Sequence, residues 1–300
     1  MSTEDGPGLR TTLFVKGCPL KCRWCHNPES ISRKKQTEWV AVSCIGCREC
    51  IKTCPRRALS AEEEGIIVNR KDCVACGKCV DACPTGAIEI KGAEMTVDEI
   101  FDELIKDKAY FGENGGVTLS GGEIMLQADE AAQLLKKLKD ASIGTAVDTC
   151  GLCKKEDIDK VFPYTDVFLY DIKLFDTGLH EKFTGAGNET ILENFDYLAD
   201  KISDTDKELW VRTPIIPGAT DSDRNVRDIA RFIKGRFTRW EMCAFNNLCR
   251  DKYERLYQSW FYNNTELMTK KRMEELLNIA LNEGLTNVYQ TGATRLSEEE

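Results

Sequence analysis

Cysteine thiols dominate the chemistry that this 300-residue sequence can offer. It holds 15 cysteines but only two histidines, His26 and His180, so thiolates far outnumber imidazoles as possible metal ligands. The cysteine count is odd, and most cysteines occur in short C-x-x-C units, which is a poor basis for a disulfide framework. The composition therefore predicts metal held by thiolates, with little room for a His-rich zinc site or a catalytic histidine pair.

The first three cysteines, Cys18, Cys22 and Cys25, have C-x3-C-x2-C spacing. They directly follow RTTLFVKG (10–17), whose apolar centre predicts a buried strand. Three thiolates on one loop can bind three irons of a four-iron cluster and leave the fourth iron open. An open coordination position is typical of a catalytic site rather than a structural one. The alternative is a zinc site completed by a distant cysteine or by His26.

Eight further cysteines form two copies of C-x2-C-x2-C-x3-C-P, the bacterial ferredoxin pattern for two four-iron clusters. In that pattern the fourth cysteine of each copy serves the other cluster. The predicted ligand sets are Cys44, Cys47, Cys50 and Cys83 for one cluster, and Cys54, Cys73, Cys76 and Cys79 for the second. Two zinc sites are the alternative.

The bulk composition excludes several classes of protein. The formal net charge of −9 argues against a general nucleic-acid binder, because phosphate binding requires a basic face. The sequence has no apolar run near the roughly 20 residues that span a bilayer. Residues 1–20 lack the apolar core of a signal peptide, which favours the cytoplasm.

Beyond residue 95 the sequence alternates between strand and helix patterns. Thr96 and Glu99 form a capping-box pair ahead of an apolar helix face, and similar faces recur along the chain. Strands are predicted at 116–120, 143–148, 166–172, 208–216 and 286–291. This alternation indicates an α/β fold with right-handed crossovers on a parallel sheet, which is either open or part or all of a barrel.

GPGLRT (6–11) and FVKGCPLKCRWCHNPES (14–30) resemble the radical S-adenosylmethionine superfamily and, within it, the activating enzymes of glycyl radical enzymes. The resemblance implies a partial (β/α)6 TIM-type barrel of residues 1–30 and 93–300, with a ferredoxin-like domain inserted at 31–92. It implies that the open iron binds S-adenosylmethionine, and that reductive cleavage gives a 5′-deoxyadenosyl radical. That radical takes a hydrogen atom from a backbone glycine of a partner enzyme.

The resemblance also assigns residues to the S-adenosylmethionine pocket. It implies that SGGE (120–123) contacts the amino group of the cofactor and that Lys173 pairs with its carboxylate. Asp148, Thr149 and Asp171 would help to hold a monovalent cation. The cofactor-binding set is Trp24, Gly121, Gly122, Glu123, Asp148, Thr149, Asp171, Lys173, Arg212 and Asn246. The alternative for the strand-end residues is a set of surface salt bridges.

Three features depart from the family pattern or follow it less closely. Asp5 matches a position near the partner's glycine, although a solvated aspartate is the alternative. The chain starts four residues before Asp5, where the family has a further strand, so we expect a truncated start or a less closed barrel. Asn246 stands where some relatives have a histidine, and an amide carries no charge.

The remaining predictions concern other thiols and the partners. Cys150 and Cys153 are interpreted as core or surface thiols, Cys243 and Cys249 as structural, and the terminal SEEE as a solvated tail. We expect a low-potential flavodoxin or ferredoxin to supply electrons through the insert, although the insert could instead serve docking or stability. Two other functions stay open: a radical enzyme acting on a small molecule, and an iron–sulfur electron carrier.

Overall fold

The computed structural model describes residues 1–63 and 65–296, so the predicted solvated tail lies outside the described residues. Within them, strands and helices alternate along the chain. The strands are β1 Arg10–Val15, β2 Gln36–Trp39, β3 Leu59–Glu62, β4 Gly65–Val68, β5 Ile88–Lys91, β6 Gly116–Gly121, β7 Gly144–Thr149, β8 Val167–Asp171, β9 Glu208–Ile215, β10 Arg239–Ala244 and β11 Val288–Thr291. The α-helices are α1 Pro28–Ile31, α2 Glu49–Thr53, α3 Lys78–Asp81, α4 Val97–Leu104, α5 Ala128–Asp140, α6 Lys155–Val161, α7 Thr177–Thr184, α8 Glu189–Ile202, α9 Asp223–Ile233, α10 Arg250–Arg255 and α11 Lys270–Asn282.

Seven of the described strands form one sheet in the order β1-β6-β7-β8-β9-β10-β11. Every neighbouring pair in this sheet is parallel. The α/β class with a parallel sheet is therefore confirmed. The count of six strands is exceeded by one, because Arg239–Ala244 is a strand that the sequence analysis did not predict.

The outer face of the sheet packs against the helices. Val117, Leu119 and Phe168 are fully buried with Leu134 and Leu138 of α5, since alternate residues of a strand point to opposite faces. The other face carries polar and charged side chains, including Thr118, Ser120, Asp148, Asp171, Arg212 and Glu241. This inward, polar face is where the sheet can carry chemistry.

Arg10 lies on that inner face near the first residues of β6 and β7 and is 1% exposed. Its guanidinium donates to Thr118 Oγ1 at 2.7 Å and to the carbonyl oxygens of Pro7, Val117 and Gly144. A fully buried guanidinium needs such partners, because an unpaired one would lose its hydration without compensation. Arg10 therefore fastens the N-terminal segment to three places on the sheet.

Residues 31–92, which we call the insert, form a small body between β1 and α4. Strands β2 and β5 pair antiparallel at its base, and β3 and β4 form a hairpin. Its own core contains Leu59, Ile66, Val68 and Ile88 together with Cys50 and Cys79. The helix that follows begins as predicted, because Thr96 accepts from the backbone N–H of Glu99 while Glu99 accepts from that of Thr96.

No helix in the described part of the chain is both long and apolar enough to cross a membrane.

Candidate functional site

The loop that carries Cys18, Cys22 and Cys25, residues 18–25, lies at the carboxyl end of β1. We call it the cluster loop. Burial raises the pKa of Cys22 to about 11 and that of Cys25 to about 12. These two thiols are therefore protonated at neutral pH, even with the ammonium of Lys173 close to Cys22, and metal binding has to displace their protons. The burial of these thiols suits metal ligands better than solvent-exposed nucleophiles.

Lys173 follows β8 and is 8% exposed beside the cluster loop. Its ammonium forms an ion pair with Asp171. Burial alone would lower the pKa of Lys173, but Asp171 and the nearby thiol of Cys22 outweigh burial and raise it. Lys173 is therefore a fixed positive charge between a carboxylate and the cysteines, which can attract an anionic ligand group.

Two more charged residues lie on the inner face next to this pair. Arg212 has its Nη1 3.8 Å from Asp148 and its Nε 3.7 Å from Glu241. The Nε is buried and has no hydrogen-bond partner among the described residues. Ser120 donates to Asp148 at 2.6 Å, and burial raises the pKa of Asp148 to about 6 against the opposing effect of Arg212. An unpaired buried donor of this kind can donate a hydrogen bond to a polar ligand.

The glycines of SGGE allow two stretches of backbone to touch. A Cβ on Gly121 would lie 2.1 Å from Val15 N, and one on Gly122 would lie 2.1 Å from Gly17 O. Only glycine fits in such contacts. The SGGE turn therefore lies directly against the start of the cluster loop.

Glu123 links this turn to β7. Its backbone N–H donates to Gly17 O at 2.8 Å. Its carboxylate accepts from Met125 N, from Thr149 Oγ1 at 2.7 Å and from Cys150 N at 2.7 Å. Both carboxylate oxygens of Glu123 therefore accept hydrogen bonds from within the protein, and the Thr149 hydroxyl donates one of them.

The other predicted pocket residues are placed differently. Trp24 is 5% exposed and packs in the main core, with its ring 6.2 Å from that of Phe183. Asp5 accepts from Thr12 Oγ1 at 2.7 Å on the inner face of the sheet. The backbone oxygen of Asn246 contacts His26 Nε2 at 3.1 Å, while its side chain accepts from Leu248 N within its own turn.

Several residues that hold the cluster loop were missed by the sequence analysis. Tyr253 Oη donates to Cys25 O at 2.9 Å, and Trp260 Nε1 donates to Arg23 O at 3.0 Å. Both lie in residues 245–262, which we call the closing segment. Glu241, 5% exposed beside Arg212, was also missed because the strand that carries it was not predicted. No local pattern marks these residues, since their partners are distant in sequence.

In the insert, the eight cysteines line two small cavities. One is bordered by Cys44, Cys47, Cys50 and Cys83, and the other by Cys54, Cys73, Cys76 and Cys79. Within the described ranges, no three His, Cys, Asp or Glu side chains converge on a single ion. The thiolates of a four-iron cluster each bind their own iron, so they need not converge on one point. The donor sets fit four-iron clusters.

Comparison with known proteins identifies the class. The model of the Radical SAM superfamily matches residues 12–232, and the chain belongs to that superfamily. It is 39% identical over 280 residues to the trans-4-hydroxy-L-proline dehydratase activating enzyme of Clostridioides difficile, covering 92% of this chain and 91% of that protein. It is 33% identical over 289 residues to the indoleacetate decarboxylase activating enzyme of Tractidigestivibacter scatoligenes, covering 93% and 91%.

A solved structure supports the fold alone. Streptococcus suis SuiB bound to S-adenosylmethionine aligns with a TM-score of 0.56 at 13% identity, covering 97% of this chain and 51% of that one. The shared fold extends over this chain and half of SuiB.

Proposed function

We propose that this chain is a radical S-adenosylmethionine activating enzyme that installs a radical on a backbone glycine of a partner glycyl radical enzyme. The carrying observation is the position of Cys18, Cys22 and Cys25 at the carboxyl end of β1, next to the buried Lys173–Asp171 pair. The similarity to activating enzymes extends over more than nine-tenths of the chain, which favours this reaction over the small-molecule and electron-carrier alternatives.

The chemistry of the bound group can be stated briefly. Reduction of a four-iron cluster on the cluster loop would cleave S-adenosylmethionine to methionine and a 5′-deoxyadenosyl radical, which takes a hydrogen atom from the glycine. The protein's residues bind, orient and shield the reactants. Lys173 would attract the methionine carboxylate, and Arg212 offers an unpaired Nε on the same face. Asp148 and Asp171 would hold a monovalent cation nearby.

We propose two further four-iron clusters in the insert, a ferredoxin-like domain, with the ligand sets predicted above. The two cysteine-lined cavities support this count. An external flavodoxin or ferredoxin would supply electrons at the insert, where Cys47 and Cys76 are exposed. The cytoplasmic location stays a prediction.

The test starts with 5′-deoxyadenosine release by anaerobically reconstituted, dithionite-reduced protein. We expect release from the wild type and from Cys153→Ala, and none from Cys22→Ala. Release that persists in Cys22→Ala at reduced iron content would overturn the assignment of the cluster loop.

The second stage tests the partner. Trans-4-hydroxy-L-proline dehydratase, indoleacetate decarboxylase and choline trimethylamine-lyase, the enzymes named for the similar activating enzymes, serve as probes. A glycyl radical signal by electron paramagnetic resonance (EPR) on any of them would establish the transfer. Release of 5′-deoxyadenosine with no glycyl radical on any probe would favour the small-molecule enzyme.

A further inference from the structure

The two cysteine motifs of the insert have the same cysteine spacing but differ in charge. Residues 44–57 carry four basic side chains and one acidic one, whereas the corresponding residues 73–86 carry one of each. The first motif therefore has a basic surface that its repeat lacks. Three of its basic side chains are exposed arginines, and we call them the basic surface: Arg48, Arg56 and Arg57.

Two of these arginines occupy backbone positions that favour glycine. Arg48 has a φ of +63° and Arg57 a φ of +49°, both in the left-handed region. The corresponding residues of the second motif are Gly77 and Gly86, with φ of +85° and +66°. Because a side chain is unfavourable in this region, glycine would suit the fold better than arginine. Strained positions of this kind are typical of functional sites, so the arginines require a reason beyond folding.

The basic surface reaches both cysteine-lined cavities. Arg48 and Ile45 border one cavity, and Arg56 and Val74 border the other. Ile45 is 67% exposed and Val74 is 61% exposed. Each cavity therefore has an exposed apolar side chain and an arginine at its border.

The positive charges of the basic surface are not used by the insert itself. Among the described residues, the ion pairs of the insert involve its lysines, Lys35, Lys52 and Lys91, and not these three arginines. The arginines are therefore available to an acidic partner.

We propose that the basic surface binds the acidic face of a small, low-potential electron-transfer protein and directs its redox centre to the cysteine-lined cavities. In each encounter one electron would pass from the reduced donor to an oxidised cluster of the insert, with no bond formed or broken. The inference rests on the proposed function, since it requires clusters in the insert.

The composition of this surface suits a brief encounter between two redox proteins. Electron-transfer complexes have small interfaces, of less than about 1,200 Å², and opposite charges around them speed association. Exposed apolar side chains beside the cavities provide the contact, and the arginines attract the partner. A nucleic acid is a poorer match, because three arginines make a small basic face on a chain of net charge −9.

The test replaces each arginine with the residue of the second motif, so that Arg48→Gly, Arg56→Thr and Arg57→Gly together form the triple variant. Two of these changes relieve the backbone, and iron content checks that the fold is kept. Calorimetry on the iron-loaded protein measures binding of two probes, an oxidised flavodoxin and an oxidised ferredoxin, both of net negative charge. We expect the triple variant to bind about 10-fold more weakly at low salt, because three exposed ion pairs are lost. The difference should shrink towards 1 M salt.

The matched control removes three exposed positive charges outside the insert, through Lys106→Gln, Lys136→Gln and Arg224→Gln. Each of these side chains pairs only with an acidic residue three or four positions away. We expect this variant to bind both probes as the wild type does. An equal loss in the control would overturn the proposal, because the effect would then come from total charge.

The remaining outcomes separate the two proposals. Equal binding by the triple variant and the wild type, or no binding of either probe by the wild type, would overturn the basic surface. If the triple variant loads less iron, Arg56→Thr alone decides by the same measurement, because residue 56 lies outside the left-handed region. A wild type that binds a probe but releases no 5′-deoxyadenosine with dithionite would count against the proposed function and not against the basic surface.

Discussion

The cysteines of the cluster loop and those of the insert are held by contacts of different range. In the cluster loop, Lys21 N donates to Thr184 O at 2.7 Å and Arg23 N donates to Phe183 O at 3.0 Å. Tyr253 and Trp260, still further along the chain, donate to the carbonyl oxygens of Cys25 and Arg23 in the same loop. Each of these partners lies more than 150 residues away. The conformation of the cluster loop therefore depends on contacts that form only when the domain of the seven-stranded sheet has folded.

In the insert, by contrast, the contacts are local and occur twice. Ala58 N donates to Cys54 Sγ at 3.3 Å, and Ala87 N donates to Cys83 Sγ at 3.2 Å. Both contacts span four residues, as expected when each motif folds its own turn after the proline. The turns that present the cysteines of the insert are thus formed within each motif, whereas the shape of the cluster loop depends on contacts with distant parts of the fold.

The largest effect that this comparison predicts is that of Gly122→Ala. The new Cβ would lie 2.1 Å from Gly17 O and 2.7 Å from Ser30 O, both backbone atoms. The start of the cluster loop would have to move, and a displacement of this order can cost about 100-fold in rate. We expect 5′-deoxyadenosine release to fall by that factor.

Gly86→Ala is the matched change in the insert. It has a φ of +66° but nothing within 4 Å of the new Cβ. It should cost about 1–2 kcal/mol of backbone strain and leave dithionite-driven release intact. Equal release by the Gly122→Ala protein and the wild type would show that the loop tolerates displacement.

The next effect concerns the buried charge beside the cluster loop. We expect Lys173→Ala to weaken S-adenosylmethionine binding about 10- to 100-fold, because a charge-assisted hydrogen bond contributes about 1.5–3 kcal/mol. Equilibrium binding measured by calorimetry on the reconstituted, unreduced protein checks this. Lys160→Ala removes an exposed lysine paired with Asp129 and Asp157, and should leave affinity unchanged. Unaltered affinity in Lys173→Ala would remove Lys173 from the pocket.

Local sequence signals were sufficient wherever local contacts form the structure. The Thr96–Glu99 cap formed as predicted, and the predicted strands 143–148 and 166–172 correspond to Gly144–Thr149 and Val167–Asp171. The capping pair and the buried apolar runs carry their own signal, because neighbouring residues make the contacts.

The signals failed where distant residues complete the structure. Strand β10 was missed because two of its inward residues, Arg239 and Glu241, are charged and pair with each other inside the sheet. Glu241 also lies beside Arg212, a contact that no spacing reveals. The closing segment was missed as a support of the cluster loop for the same reason. Its role is visible only once β10 brings it over the end of β1.

A smaller effect is expected from two tyrosines close together in the chain. Tyr253→Phe removes the hydroxyl donor to Cys25 O and leaves only the long contact from the Cys249 thiol at 3.9 Å. Loss of that hydrogen bond should lower the free energy of unfolding by about 0.5–1.5 kcal/mol. Urea denaturation of the iron-loaded protein measures this. We also expect slower 5′-deoxyadenosine release, because the loop loses one of its supports.

Tyr257→Phe is the control for that variant. Tyr257 donates instead to Ile66 O of the insert, and its ring lies 5.9 Å from the guanidinium of Arg70. The variant should lose stability while keeping dithionite-driven release. If Tyr257→Phe slowed release as much as Tyr253→Phe, the cluster loop and the insert would be coupled more tightly than their contacts indicate.

The smallest effect on 5′-deoxyadenosine release should come from removing one cysteine ligand from each proposed cluster of the insert. Cys47 and Cys76 are exposed, one in each cysteine-lined cavity, so Cys47→Ala with Cys76→Ala removes one ligand from each proposed cluster. Dithionite reaches the cluster loop directly, so release with dithionite should persist. Release driven by a reduced flavodoxin should be lost if electrons pass through the insert, and should persist if the insert serves docking or stability. Loss of release with both reductants would show that the cluster loop depends on the insert for its structure, contrary to the contacts described above.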